Sequence, residues 1–241
     1  MAAHAGEVLA LVGDNGAGKS TLVKVLAGVH SLDFGELRIN GELLERTDPR
    51  SARSRGVSTV FQDLAIVDTL DVAANMFLGQ PLRRMHMFAN RSRMVNEAAE
   101  SLRDLGIRVP SVRVAAGELS GGQRQAVAIA RAVRQDNPII LMDEPTAALG
   151  VRETMQVGQV IGELRNRGKS VILVSHDLEF VLAVADELLV LRLGQVQGIR
   201  RVSETDRHEV IGLITGAHAA DGAHQHDPHH VKEQHSNERS P

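Results

Sequence analysis

Hydrophobic positions along the chain follow two alternating patterns. Val8–Val12, Val57–Phe61, Ile139–Met142 and Val171–Val174 are short, nearly unbroken apolar runs. Such runs predict strands buried on both faces, the mark of a mostly parallel sheet with covering helices. After the first run, Leu22, Val23, Val25 and Leu26 fall at helical spacing. Two tight turns add antiparallel pieces: Asn40-Gly41 inside Gly35–Glu42, and Gly194-Gln195 between Leu188–Leu193 and Val196–Arg200. The expected fold is α/β, a mostly parallel sheet with a small antiparallel β portion.

Between Asp63 and Glu118 the β-branched runs vanish, and Val72, Ala73, Met76, Phe77, then Met94, Ala98, Leu102 and Leu105 recur at helical spacing. A helical subdomain over about 63–118 is therefore expected to be inserted into a core of residues 1–62 and 119–216. Arg83, Arg84, His86, Arg91 and Arg93 form a basic cluster within it, read as a solvated loop and helix face. From Ala217 the apolar content collapses and His218, His224, His226, His229, His230 and His235 appear. Residues 217–241 are expected to be a disordered, histidine-rich tail, since too little surface is buried to offset chain entropy.

Composition narrows the classes. The 241 residues carry a net charge of −3, which argues against a basic nucleic-acid surface, so no nucleic-acid partner is expected. With no cysteine, disulfides and thiolate metal sites are excluded. The longest apolar stretches are far short of the ~20 residues that span a bilayer.

Each strand-like run ends in a residue suited to a nucleoside triphosphate. Gly13, Asp14, Asn15, Gly16, Ala17, Gly18, Lys19 and Ser20 form the glycine-rich phosphate loop G-x-x-x-x-G-K-[ST], between a strand pattern and a helix pattern. Glycines let the backbone curl so that successive N–H groups point inward, and the following helix, begun by Ser20 and Thr21, adds its positive end. Lys19 is suited to the β- and γ-phosphates of ATP, and the Ser20 hydroxyl to Mg²⁺.

The other runs deliver Gln62, then Asp143 and Glu144, then His176. In open parallel sheets ligands lie at the carboxyl ends of the strands, so all four ends should face one crevice. Asp143 is the candidate metal carboxylate, with Gln62 bridging metal and water; Glu144 is the candidate base for an attacking water, and His176 a donor to the γ-phosphate. Ser120, Gly121, Gly122 and Gln123 open another helix with free N–H groups, a second anion site. Because the phosphate loop already wraps the phosphates from its own side, this element is most useful to a nucleotide held by another copy. That implies a two-fold homodimer with two sandwiched nucleotides.

The order of phosphate loop, Gln62, Leu119 to Gln123 (LSGGQ), Ile139–Glu144 and His176 resembles the ATP-binding cassette (ABC) ATPases over residues 5–215. Within that family, Leu22–His30, Val60–Leu64 and Leu70–Gly79 look like the bacterial importers of ribose, xylose or fructose. The resemblance implies an ATP-hydrolysing subunit, peripheral on the cytoplasmic face of the inner membrane. It implies two polytopic membrane permease subunits as partners, with a periplasmic sugar-binding protein served indirectly. An importer for another small solute such as an amino acid, or a soluble cassette ATPase outside transport, is the alternative.

Two features depart from the family pattern. The family stacks adenine on an aromatic residue upstream of the phosphate loop, whereas Phe34, Phe61, Phe77, Phe88 and Phe180 all lie downstream and Tyr and Trp are absent. The start at Met1 is thus expected to be truncated, with ATP affinity weakened roughly ten- to a hundredfold if stacking contributes ~1–3 kcal/mol. Gly150 stands where the family usually has an Asp connecting the two sites of the dimer, and local strain at this turn is expected to favour glycine.

Overall fold

The computed structural model describes residues 1–44, 48–84 and 88–217. The histidine tract from His218 onward, His86, and the side chains of Arg83 and Arg84 lie outside the described residues. Strands are β1 (Val8–Gly13), β2 (Arg38–Ile39), β3 (Glu42–Leu43), β4 (Val57–Val60), β5 (Arg83–Arg84), β6 (Phe88–Ala89), β7 (Ile139–Asp143), β8 (Ser170–Val174), β9 (Glu187–Arg192) and β10 (Gln195–Arg201). Helices are α1 (Lys19–Leu26), α2 (Pro49–Ser54), α3 (Val72–Met76), α4 (Arg91–Asp104), α5 (Gly121–Val133), α6 (Val151–Asn166), α7 (Leu178–Val184) and α8 (Arg207–Thr215).

The main sheet runs β10-β9-β1-β8-β7-β4. All pairings are parallel except β9 with β10. Side chains of its inner strands alternate between two separate cores. Val8, Ala10 and Val12, with Val171, Leu173, Leu188 and Val190, join the core under α5 and α6. Leu9 and Leu11, with Ile172, Val174, Leu189 and Leu191, join a smaller core with Val23 and Ala27 from α1 and its C-cap. Burial on both faces is what the unbroken apolar runs require. The β9 run was legible only as half of a hairpin, but its parallel pairing with β1 makes it a central strand.

Both hairpin turns have left-handed residues at their two central positions, Asn40 (φ 52°) with Gly41 (φ 79°), and Leu193 (φ 48°) with Gly194 (φ 78°), so the second turn falls one residue before the expected Gly194-Gln195 and Gln195 already belongs to β10. This is the type I′ geometry whose twist matches paired strands. Among the described residues, no helix is long and apolar enough to cross a membrane.

Residues 68–117 leave and rejoin at one place. Val72 N–H donates to Val114 O, Ala116 N–H to Leu70 O and Gly117 N–H to Asp68 O, at 3.1, 2.9 and 3.1 Å. The periodic residues Val72, Met76, Phe77, Met94, Ala98, Leu102 and Leu105 are all buried, in one core with Ala126 to Ala130 of α5. A short pair, β5 with β6, also lies in this interval, where no strand signal stands in the sequence. Of the basic cluster, Arg91 pairs with Asp71 and Arg93 with Glu97 four residues on, as expected of a solvated helix face.

A fully buried Asn75 fixes the entry to this lobe. Its Oδ1 accepts from Val67 N–H at 2.8 Å, and its Nδ2 donates to the carbonyls of Val67, Leu70 and Asp71. Asn75→Ala should cost about 3 kcal/mol, because it strands buried partners and leaves a void. Urea unfolding of the variant beside wild type checks this, and a loss under 1 kcal/mol would contradict it.

Candidate functional site

The phosphate loop follows directly from where β1 ends. Gly13 has φ 150°, and a Cβ there would lie 2.1 Å from Leu191 O on neighbouring β9, so only glycine fits. Gly16 (φ 79°) and Gly18 (φ 99°) complete the curl in left-handed conformations. Ala17 N–H donates back to Asp14 O at 3.1 Å, and Gly194 N–H donates to Ala17 O at 3.1 Å, fastening the loop to the β9–β10 turn. Nothing in the local sequence announced that second contact, which spans most of the chain.

Helices α2, α3, α4, α5, α7 and α8 start on side-chain caps, whereas α1 and α6 start on Gly18 and Gly150 with none, and of these two only α1 opens at the phosphate loop. The first N–H groups of α1 are thus left for an anion. Buried Lys19 closes the ring: its Nζ donates to Gly13 O at 2.7 Å and Asp14 O at 2.9 Å. The ammonium therefore already lies inside the curl.

A cleft of about 430 Å³ joins residues 15–21 to Gln62, Glu144, Ala147 and His176. The structure thus brings the ends of β1, β4, β7 and β8 to one crevice, although Gln62 is exposed at its rim. Glu144 and His176 are in direct contact, with His176 Nδ1 2.8 Å from Glu144 Oε2. The backbone of Glu144 is left-handed, at φ 50°. That conformation costs an L-residue about 1–2 kcal/mol, and strain of this kind gathers at working sites. Its N–H still donates to Val174 O at 2.9 Å, so the turn is pinned to β8.

Asp143 lies deeper and does not line the cleft. Its Oδ1 is buried with no hydrogen-bond partner. Burial, then the neighbouring Glu144 charge, push its carboxyl above the ordinary aspartate value, while Lys24 and Lys19 pull the other way. Lys24, on the outer part of α1, is a neighbour that sequence reading missed. A buried carboxylate oxygen without a partner is the kind of donor a hard divalent cation takes, and the Ser20 hydroxyl and the Gln62 amide oxygen of the cleft are oxygen donors of the same kind.

The Ser120 element lies elsewhere. Ser120 caps α5 in a reciprocal box: Gln123 N–H donates to Ser120 Oγ at 3.3 Å and Ser120 N–H to Gln123 Oε1 at 3.1 Å. A Cβ on Gly122 would come within 2.3 Å of Glu153 Cγ, so glycine lets α5 and α6 approach. None of Ser120, Gly121, Gly122 or Gln123 lines the phosphate-loop cleft of the same chain. Strain at Gly150 is not found: its φ of −75° suits any residue, and the left-handed residue of that turn is Ala148, at φ 58°. Gly150 simply begins α6 without a side-chain cap.

Residues 1–147 match the family model described as ABC transporter. A fructose import ATP-binding protein of Rhizobium meliloti is 38% identical over 221 residues, covering 89% of this chain and 85% of that protein. A xylose/arabinose import ATP-binding protein of Sulfolobus acidocaldarius is 40% identical over 215 residues, with the same coverage of 89% and 85%. A ribose import ATP-binding protein of Bacillus licheniformis is 39% identical, but the chain spans only 43% of its length. Among solved structures, an ATP-binding cassette of an ABC transporter in its ADP conformation superposes with a TM-score of 0.77 at 25% identity, over 94% of this chain and 91% of that one. A dimeric cassette in a post-hydrolysis state, bound to ADP and Pi, gives 0.70 at 26% identity, over 84% and 88%.

The Asp143 environment predicts a pH dependence. Below about pH 3.9, the ordinary aspartate value, folded and unfolded chains both hold the proton and the carboxyl contributes its full share of stability. As pH rises through the higher folded-state value, an ionised group must be kept in a half-buried site and that share is lost. Ligand-free Asp143→Asn should therefore unfold at higher urea than wild type at pH 7, with the gap closing towards pH 3.5. Equal midpoints at pH 7 would contradict the assignment.

Proposed function

The chain belongs to the ABC transporter family and is an ABC-type ATPase, and from that premise we propose that it is the ATP-hydrolysing subunit of an importer for a monosaccharide. The likeness to fructose and xylose/arabinose import proteins along nearly the whole chain supports the sugar. The observation that carries the mechanism is the Glu144–His176 contact at the mouth of the phosphate loop.

In this reading, residues 1–62 and 119–216 form the catalytic core and 63–118 the inserted lobe. The triphosphate of ATP lies in the cradle of residues 13–18 against the uncapped start of α1. Lys19 gives up its carbonyl partners for the β- and γ-phosphates. Ser20, Gln62 and Asp143 would hold Mg²⁺, which when bound neutralises charge building on the phosphate oxygens. Glu144 takes the proton from the attacking water. His176, whose Nδ1 lies 2.8 Å from Glu144 Oε2, holds that carboxylate in line, and as an imidazolium, with both ring nitrogens donating, it also serves the γ-phosphate from Nε2.

Ser120 and its glycine pair complete the site of a second copy, since they stand apart from the cleft of their own chain. Dimeric cassettes are known in the family, and a closing dimer is the mechanical stroke. Delivery of that stroke needs a permease. A groove of about 460 Å³ beside the Gln62 loop, lined by exposed Val29, Phe61 and Leu78, half-buried Leu64 and the polar Arg53, Asp63 and Arg131, is the receptor for a permease segment. The chain would then sit peripherally on the cytoplasmic face of the membrane, and a periplasmic sugar-binding protein would supply the solute.

Glu144→Gln should lower ATP turnover by about 10²–10⁴-fold while leaving nucleotide binding intact, measured as phosphate release beside equilibrium binding of a fluorescent ATP. A deletion strain should lose uptake of labelled fructose, xylose or ribose and regain it with the wild-type gene but not with the variant. Full turnover by the variant would refute the base, and unchanged sugar uptake in the deletion strain would refute the transport role.

A further inference from the structure

Gln62 needs a fixed position to serve the site, yet it stands exposed on a loop beyond the end of β4. Three residues later the loop contains Ala65 in a left-handed conformation, φ 46°, costly for alanine, with its N–H on Asp63 Oδ1 at 3.3 Å. Its carbonyl and that of Leu64 are held from α5. The guanidinium of Arg131, in the last turn of α5, donates from Nη1 to Ala65 O at 2.8 Å and from Nη2 to Leu64 O at 2.5 Å. Among the described residues, no carboxylate pairs with Arg131, and both successive carbonyls are taken by one planar fork. Partial burial disfavours its charge, and the two carbonyls stabilise it.

We propose that Arg131 is a positioning residue that ties Gln62 to the Ser120 end of α5, a role that rests on the ATPase reading above. Arg131 stands eleven positions after Ser120 along the helix, roughly 16 Å at 1.5 Å per residue. A movement of the Ser120 tip is carried along α5 to the Leu64 and Ala65 carbonyls, and so to Gln62. Arg131, Leu64 and Ala65 also line the groove assigned to the permease. A segment docked there presses on the same fork, and occupancy of the groove and engagement of Ser120 meet at one side chain. Arg134, one turn further on, lies over the Phe77 ring at 4.2 Å and donates to Met76 O at 3.2 Å. It anchors the lobe instead of the Gln62 loop.

Arg131→Lys is the test, because lysine keeps the charge but lacks the planar fork that spans two carbonyls. The chain has no tryptophan, so Phe61→Trp introduces a single indole next to Gln62. In ligand-free protein the anisotropy of that indole should fall when Arg131→Lys is added, and stay unchanged when Arg134→Lys is added. In chains with the native Phe61, Arg131→Lys should lower kcat for ATP roughly ten- to a hundredfold, with KM within about twofold of wild type. Unchanged anisotropy and kcat would overturn the proposal. So would equal effects from Arg134→Lys, or a kcat loss matched by the fraction of unfolded protein, since either outcome marks a merely structural arginine. Absence of ATP turnover in wild type would count against the ATPase reading itself, while the anisotropy comparison would still decide the role of Arg131.

Discussion

The backbone between Gly13 and Gly18 must hold a tight left-handed curl closed by the Ala17 N–H on Asp14 O, and much of the molecule is arranged to keep it so. A segment curled in this way is unstable alone. Here it is suspended between two rigid parts, the fully buried strand β1 and the start of α1, and braced by the β9–β10 turn through Gly194. The close approach of Leu191 O to Gly13 shows how little room is left: a single Cβ would displace a central strand. Lys19 satisfies two of the loop carbonyls from within, which holds the curl in the ligand-free chain.

Around that cradle the sheet brings chemistry of different kinds to one edge. Asp143, the carboxylate proposed for the cation, is sunk with its Oδ1 unpartnered, while Glu144, the carboxylate proposed for the water, has a left-handed backbone and is bonded to His176. Adjacent residues thus reach different environments because one φ angle changes sign. In the proposed dimer the second half of the site is carried by α5, whose glycine-rich start packs against α6 through Gly122 and whose end grips the Gln62 loop. Rigid transmission along one helix is simpler than a chain of flexible contacts.

Much of this was legible in the sequence because it depends on local rules. Runs buried on both faces gave the strands, helical spacing gave the lobe residues from Val72 to Leu105, and Asn40-Gly41 gave a type I′ hairpin. The phosphate loop and the strand-end residues were readable because each chemistry needs a particular residue at a particular boundary. What stayed hidden was long-range. The pairing of β9 beside β1, the grip of Asn75 on the 67–71 turn, and the fork of Arg131 on Leu64 and Ala65 join a residue to distant backbone or to an unmarked partner, and leave no periodic trace. Gly150 misled for a related reason: glycine at a turn suggests strain, but the positive φ falls on Ala148.

The central claim is that one nucleotide is enclosed by the glycine cradle of one chain and the Ser120 helix tip of another. The natural chain has no cysteine, so two single-cysteine proteins can be mixed, one carrying Asn15→Cys and the other Gly121→Cys, each with Glu144→Gln to retain ATP. A short bis-maleimide should join them into a covalent pair in the presence of Mg²⁺ and ATP, and not in ADP or without nucleotide. Failure to form that pair at saturating ATP, or formation independent of nucleotide, would contradict the account.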